Sequence, residues 1–571
     1  MAETKRATRG RRAAQRTCRR RRCPTDIRHP CPVRIAGDGR TRAGLGGART
    51  IRQRRGGTER AMLRGAAALA AAGVAAKVGS AVYRVLVARW LGAEAIGLYE
   101  MAAPVLAAGI SICGLGLPVA AAALIAAEFG RGRRGEALRL LRASRLLLLA
   151  SGAVGAVAVA VMAPALAHLL GNRAAAGALR AVAPAIALAV LLAGEKSWLQ
   201  ASGRVAASAA VVAVEQFGRV AAGMAAALRF VSGGPPGPAV APLAAGAVAW
   251  APAAGAATGL AAAFAADRAL PPAGRAGRAL GQEDGAADSP VRRLLQGGGP
   301  NWISNVVSSL TAAVDAALVA WRLRVTGLGA DAATAALGEL NGMALPLATA
   351  PAVLFGALAS ALVPAVAADW ARGDAAAARQ RGATAYFWVL AVATPAAVGV
   401  WQLAQPLALV LYRNVHAAPP LGVLAWGAIP LGLSYVAAAL ANAVGRPSDL
   451  LPGVLLGAIV KSALVLILTD AHGLALRGAA LGILCGLGSS TVLNVRAVSR
   501  QSGCAPPWRT WVAVVLPAAG AQWLCAVGVW ALMPGGDTGP RVLGAMAGGG
   551  GAYALVFVAA RRLWRWRETM G

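Results

Sequence analysis

Glu128-Phe-Gly-Arg131 recurs as Asp369-Trp-Ala-Arg372, 241 residues further along the chain. Gly203-Arg204 returns as Gly445-Arg446, and Leu170-Gly-Asn172 returns as Tyr412-Arg-Asn414, each at 242 residues. Arg219 lands on Lys461 at the same spacing. A near-constant offset held from position 128 to position 219 marks an internal duplication. Both copies are strongly apolar, and two membrane-embedded repeats facing each other are a transporter architecture.

Composition supports the membrane reading. The 571 residues are 57% hydrophobic and only 14% charged, against about 25% charged in a soluble domain. Apolar runs of about 20 residues recur, each long enough to cross a hydrocarbon core of about 30 Å. Alternating ten-residue strand patterns are missing, so helices, and not a barrel, must satisfy the backbone. The expected class is an all-α integral membrane protein with about 14 transmembrane helices. The first repeat predicts spans near 63–88, 96–125, 140–167, 176–200, 206–230 and 239–265. The second predicts 299–323, 335–367, 383–411, 420–443, 450–470 and 474–496, and a further pair follows at 508–533 and 541–562.

The net charge of +34 invites a nucleic-acid reading, but much of it sits in residues 1–60 and in short loops. Basic loops are what the positive-inside rule predicts for the cytoplasmic side. With both termini inside, basic clusters fall in the inward gaps: Arg131 to Arg145, Arg268 to Arg293, Arg372 to Arg381 and Arg496 to Arg509. The basic C-terminus, Arg561 to Arg567, is inside as well. The outward gaps carry scattered exceptions: Arg89, Arg173, Arg180, Arg229, Arg322, Arg324, Arg413, Arg477 and Arg541. No nucleic-acid partner is expected. Six helices per repeat is an even number, so both copies enter the membrane in the same direction. Two lobes related by an axis along the membrane normal, with a cavity between them, follow from that.

The expected organisation is a basic disordered tail (1–61), an N-terminal six-helix lobe (62–267) and a cytoplasmic linker (268–297). A C-terminal six-helix lobe (298–498) and two additional helices with a basic C-terminus (499–571) complete it. The tail is Arg/Gly-rich, lacks an apolar face, and has no signal-peptide h-region. Its Cys18, Cys23, Cys31 and His29 fit no standard zinc spacing. Cys113, Cys485 and Cys525 lie in apolar runs and read as small core residues. No Walker-type loop, metal-spaced His pair or Gly-x-Ser-x-Gly elbow occurs, so no enzyme activity, cofactor or metal is expected.

Charges inside apolar spans cost roughly 2.5–3.5 kcal/mol at mid-membrane and need a reason. Lys77 and Arg84, seven residues apart, share one helix face. Glu215 and Arg219 stand at i, i+4 in the favourable order. Asp315 lies deep in the seventh predicted span, and Lys461 is the repeat partner of Arg219. Glu195-Lys196 are adjacent and point to different faces. Two readings stand side by side. Glu215 and Arg219 neutralise each other and Arg84 snorkels outward; or Lys77, Arg84, Arg219 and Lys461 set against Glu215 and Asp315 make a cavity of net charge +2, suited to an anionic substrate such as a lipid diphosphate. Lys77 aligns near Val319 and Glu215 near Gly457, so only Arg219 and Lys461 keep a cation in both repeats. Gly114-Leu-Gly-Leu-Pro118, with a counterpart near Gly356 to Pro364, predicts paired helix breaks.

The stretch Lys77-Val-Gly-Ser-Ala-Val-Tyr83-Arg84 through Arg89-Trp-Leu-Gly92 to Tyr99 resembles the opening of the stage V sporulation protein B family. So do Leu115-Gly-Leu-Pro118, Val214-Glu215-Gln216-Phe-Gly-Arg219 and Asn341-Gly-Met343-Ala-Leu-Pro346. These motifs belong to the polysaccharide-transporter branch of the multidrug/oligosaccharidyl-lipid/polysaccharide exporter superfamily, and the resemblance spans about 62–500. It implies fourteen helices, two lobes and alternating access in a bacterial cell membrane. It implies flipping of an undecaprenyl-diphosphate-linked oligosaccharide or peptidoglycan precursor, as in the related lipid II flippases. Partners on that reading are the lipid-linked saccharide, membrane lipids and a coupling ion, with a monomeric protein. In that group basic residues of the first helix are thought to hold the diphosphate, which implies Lys77 and Arg84 here. Glu215 and Asp315 become coupling or structural carboxylates. The sporulation and cell-wall role comes from the resemblance alone. The alternatives are a cation-coupled multidrug exporter of the same fold and a non-transporting cell-wall scaffold. The basic tail and heavy use of Ala and Gly depart from the family. Met62, immediately before the first apolar run, predicts a translation start there, with residues 1–61 an artefact of the gene assignment. Intact mass of the purified native protein checks this: the expected mass excludes residues 1–61, and a mass that includes them refutes the start site.

Overall fold

The computed structural model of the chain describes residues 79–230, 237, 239–269, 289–469, 474–533 and 538–565, and backbone alone at 45–78, 300, 301, 304, 308, 312, 360 and 566–570. Lys77, the tail cysteines with His29, and most of the linker lie outside the described side chains. Every regular element among the described residues is helical. In the first repeat these are α1 (Leu45–Gly114), α2 (Leu117–Gly130), α3 (Arg134–Leu170), α4 (Ala176–Ala201), α5 (Val205–Leu228), α6 (Ala241–Ala249) and α7 (Ala251–Ala269). The second has α8 (Pro290–Val325), α9 (Ala330–Leu337), α10 (Leu345–Ala348), α11 (Ala352–Ala371), α12 (Ala375–Gln402), α13 (Ala404–Tyr412), α14 (Ala418–Ala425), α15 (Ala428–Val444), α16 (Leu451–Leu468) and α17 (Ala475–Ser502). The chain closes with α18 (Leu516–Leu532) and α19 (Thr538–Met570).

Twelve described helices are long and apolar enough to cross a membrane, or thirteen when α14 and α15, bent by 47°, form one span. The expected fourteen is not reached on that count. One reason is that Gly79–Gly130, 52 residues, counts once, although about 78 Å of helix is far more than one crossing. Gly92 interrupts it with φ 74° and ψ 177°, a backbone that only glycine adopts freely. Outward-facing apolar side chains match the membrane assignment. On α3, Val154, Val157 and Val161 are each more than 60% exposed, a stripe that hydrocarbon would cover.

The duplicated sequence signals are duplicated structures. Glu128 is 2% exposed and ion-paired with Arg131 and Arg293; Asp369 is 1% exposed and paired with Arg372 and Arg381. Gly132 and Gly373 turn the chain after each pair with φ of 76° and 77°. At the opposite end of the bundle, Asn172 and Asn414 cap equivalent 3-10 turns, each side chain accepting from the backbone N–H two residues on. The Gly114–Pro118 break is present, with Leu115 and Gly116 at positive φ between α1 and α2. Its expected counterpart is displaced. Helix α11 runs unbroken through Gly356 and Pro364, and the break falls earlier, between α10 and α11 at Thr349–Pro351. A π-helical stretch, Gly338–Ala344, precedes it, so this helix is loosened before its proline and not at it. Cys113 is buried, but Cys485 is exposed and is not a core residue; the buried thiol that the apolar-run reading missed is Cys504.

Small residues set the closest helix contacts. Along α17, a Cβ on Gly482 would meet the Val465 backbone nitrogen at 2.9 Å, and one on Gly486 would meet Lys461 Cβ at 2.5 Å. Without hydrophobic drive between helices in lipid, such close backbone approach supplies the packing energy. Gly488, on the same helix, faces open space. Gly482→Ala is expected to lower the apparent Tm in detergent, because overpacking costs about 1–3 kcal/mol. Gly488→Ala should leave Tm unchanged or raise it slightly, since Ala is favoured over Gly in a helix by about 1 kcal/mol. Equal Tm shifts in the two variants would contradict this packing.

Candidate functional site

One cavity of about 370 Å³ joins the two repeats at mid-helix depth. From the first repeat, α1 contributes Arg84 and Glu100, on either side of the Gly92 break. From the second, α8 contributes Asp315 and Val319, α16 contributes Lys461, and the π-helical stretch contributes Asn341. The break at Gly92 is what lets Arg84 and Glu100 meet. Sixteen residues apart in sequence, they sit on two helical segments, and Arg84 Nη1 lies 3.3 Å from Glu100 Oε1. Arg84 therefore turns inward to a carboxylate and does not snorkel.

Lys461 forms an ion pair with Asp315 across the α16–α8 contact, and Ser462 Oγ donates to Asp315 Oδ1 at 3.3 Å. The stem of Lys461 rests on Gly486, where a side chain would collide with it. Arg219, its repeat partner, is seated the same way. A Cβ on Gly255 would meet Arg219 Cβ at 2.7 Å and the Glu215 carbonyl at 2.8 Å. Each cation of the repeat pair thus leans on a glycine of a neighbouring helix, at a contact too close for any side chain there.

Arg219 is not among the residues that line the cavity. It lies close to Tyr99, the neighbour of Glu100, and to Tyr83. Glu215 does not pair with Arg219 in the i, i+4 manner that its spacing suggests. Its carboxylate accepts from Lys196 Nζ on α4 at 2.9 Å. Glu195 faces the other way, as adjacent positions on a helix require, and takes a two-pronged hydrogen bond from Arg145 on α3, both contacts at 2.6 Å.

The charge count changes accordingly. The net of +2 omitted Glu100 and Lys196, which cancel. With Lys77 left out, its side chain lying outside the described residues, Arg84, Lys196, Arg219 and Lys461 stand against Glu100, Glu215 and Asp315, a net of +1, and the charges lining the cavity itself balance two against two. Glu100 was legible as a carboxylate near the start of the second predicted span, immediately after the Gly97-Leu-Tyr99 motif. Its partner was not, because helical spacing counted across Gly92 assigns Arg84 and Glu100 to unrelated faces. Lys77 is outside the described side chains, but Val319, the second-repeat position that matches it, lines the cavity.

Comparisons with known proteins bear on the family and the fold. The chain is 26% identical over 445 residues to stage V sporulation protein B of Bacillus subtilis (strain 168), covering 77% of this chain and 83% of that protein. Its fold matches the lipid II flippase MurJ in an inward closed conformation, with a TM-score of 0.60, 12% identity, and 88% and 99% of the two chains covered. It also matches an inward-facing multidrug resistance MATE family transporter of the MOP superfamily, with a TM-score of 0.57, 14% identity, and 75% and 94% covered. The profile of the family described as polysaccharide biosynthesis protein matches residues 62–368, more than half of the chain. An all-α, multi-pass membrane protein with this match belongs to the polysaccharide biosynthesis protein family.

Proposed function

We propose that the chain is a flippase that moves a lipid-linked, diphosphate-bearing oligosaccharide or peptidoglycan precursor across a bacterial membrane by alternating access. Residues 62–267 and 298–498 act as the two lobes, with both termini cytoplasmic. One observation carries the reading: a cation from each repeat, Arg84 and Lys461, lines a single shared cavity, each held by a carboxylate. A diphosphate entering the cavity competes with Glu100 and Asp315 for these two cations. Arg is well shaped for two-pronged phosphate contacts, and Lys serves as a movable point charge. Arg219 supports the set from beside Tyr99, and Lys77 adds a further cation on the same helix as Arg84. The likeness in fold to a protein named lipid II flippase supports this choice of substrate class.

The pairing also gives a coupling route. A cavity whose cations are neutralised internally changes state with lower desolvation cost than one with bare charges. Loading the diphosphate frees Glu100 and Asp315, which then take up a proton or another cation. Asp315 is the stronger coupling carboxylate, because Glu215 is engaged with Lys196 away from the cavity. The presence of two carboxylates in the lining favours a second reading, a cation-coupled drug exporter of the same fold.

Transport assays separate the two. Arg84→Ala and Lys461→Ala are each expected to lower flipping of a lipid-linked precursor in proteoliposomes by about tenfold or more, the loss of one charge-assisted contact worth about 1.5–3 kcal/mol. Normal precursor flipping in the double variant at normal abundance, with dye export lost in Asp315→Asn, would establish the drug-exporter reading instead. A structural role for the pair is tested apart from binding. Lys461→Ala strands Asp315 and should lower the apparent Tm, whereas Lys461→Met with Asp315→Leu should restore Tm without restoring flipping, since apolar replacement of an ion pair is often neutral for stability. Flipping restored along with Tm would show that the pair is structural.

A further inference from the structure

A second cavity, of about 630 Å³, opens at the Asn414 end of the bundle and shares no lining residue with the central one. Arg89, Trp90, Tyr412, Arg413, Asn414 and His416 are among its lining residues, and no Asp or Glu is among them. Arg89 and Arg413 are two of the scattered exceptions to the basic-loop pattern, both in gaps expected to face outward. They are 324 positions apart by residue number, yet they line one pocket.

The backbone at Arg413 points to a built site. Tyr412-Arg-Asn414 is the repeat of Leu170-Gly-Asn172. In the first copy the helix ends through Gly171 at φ 94°, a left-handed position suited to glycine. In the second copy the same position is Arg413 at φ 54°. A left-handed conformation is sterically costly for any residue with a Cβ, and such outliers cluster where the side chain has a task. The cap that follows is identical in both repeats, with Asn414 Oδ1 accepting from the His416 backbone N–H at 2.8 Å, so the turn itself does not call for arginine. Arg89 is also positioned: its Nη1 donates to the Val410 carbonyl at 2.6 Å, leaving the other guanidinium N–H groups for a ligand.

We propose that this pocket is an anion site for a phosphoryl group, a diphosphate or a lipid phosphate headgroup, gripped between Arg89 of the first repeat and Arg413 of the second. It is distinct from the central cavity and stands whether or not the central cavity carries a lipid diphosphate. Two guanidiniums facing one volume fit the multiple oxygens of such a group, and the Glu339 carboxylate beside the lining is taken up by Asn414 Nδ2 at 3.0 Å. An anion bridging the two repeats here also holds them together at this end, so its binding favours the state described.

The test uses the full chain in phosphatidylcholine nanodiscs, titrated with inorganic diphosphate. The background is Lys461→Ala, which weakens the central cavity. Adding Arg413→Gly removes the charge and gives the left-handed position its preferred residue, so Tm should hold or rise. The expected result is a loss of diphosphate affinity of about tenfold or more on adding Arg413→Gly, corresponding to about 1.4 kcal/mol or more, with Arg413→Lys intermediate. Competition by phosphatidylglycerol in the nanodisc identifies a lipid headgroup as the source, and no competition identifies a soluble phosphate. Unchanged diphosphate affinity in Arg413→Gly, or no diphosphate binding in the Lys461→Ala background, overturns the proposal. Flipping defects from Arg84→Ala or Lys461→Ala bear on the central cavity and leave this outcome untouched.

Discussion

A charge inside hydrocarbon must be neutralised, and this constraint organises the interior of the molecule. The deep carboxylates do not pair along their own helices. Glu100 takes Arg84 from across the Gly92 break, Glu195 takes Arg145 from α3, Glu215 takes Lys196 from α4, and Asp315 takes Lys461 from α16. Each pair is therefore a tie between separate helical segments. Removing one partner leaves an uncompensated charge, which is far worse than never having had the pair. The helices are consequently held in register by chemistry that apolar side chains in lipid do not supply.

Close packing makes those ties possible. The stems of Arg219 and Lys461 lie against Gly255 and Gly486, and the helices approach until a methyl group would collide. High alanine and glycine content has a structural consequence here whatever its genomic origin. It trades side-chain volume for backbone proximity, and the stems of the charged side chains pack directly on the facing backbone. The same duplication that matches Arg219 to Lys461 also shows where the copies diverge: Lys461 lines the central cavity, whereas Arg219 lies outside its lining beside Tyr99.

The membrane class, the duplication and the end-of-helix motifs were readable because they are local. Glu128/Asp369 with their arginines, Gly132/Gly373 and Asn172/Asn414 are set by a few adjacent residues, and the structure repeats them position for position. Partner identity was not readable at the same level. Helical spacing offered Arg219 for Glu215, yet Lys196 takes it, because i, i+4 geometry says which groups can meet and not which neighbouring helix offers something nearer. Glu100 escaped for a related reason: one glycine at φ 74° redirects the chain, and any count of faces across it fails. The displaced break before α11 follows the π-helical stretch at Gly338–Ala344, a hydrogen-bonding slip that no single proline marks.

The internal pairing also bears on how the proposed transport cycle would avoid futile movement. If the cavity cations were bare, the empty protein would have to change state with charge exposed to a low-dielectric wall, at a cost of several kcal/mol per ion. With Arg84 and Lys461 occupied by Glu100 and Asp315, the empty cavity is neutral in its described lining. On the proposed reading, a diphosphate takes over the role of those carboxylates, so the loaded cavity is neutral only once the released carboxylates have acquired a proton or cation. Neutrality is then met in two compositions, empty and fully loaded, and violated in the partly loaded ones. That asymmetry is enough to link substrate and counter-ion without a separate gate, because the penalty for crossing falls on the incomplete states.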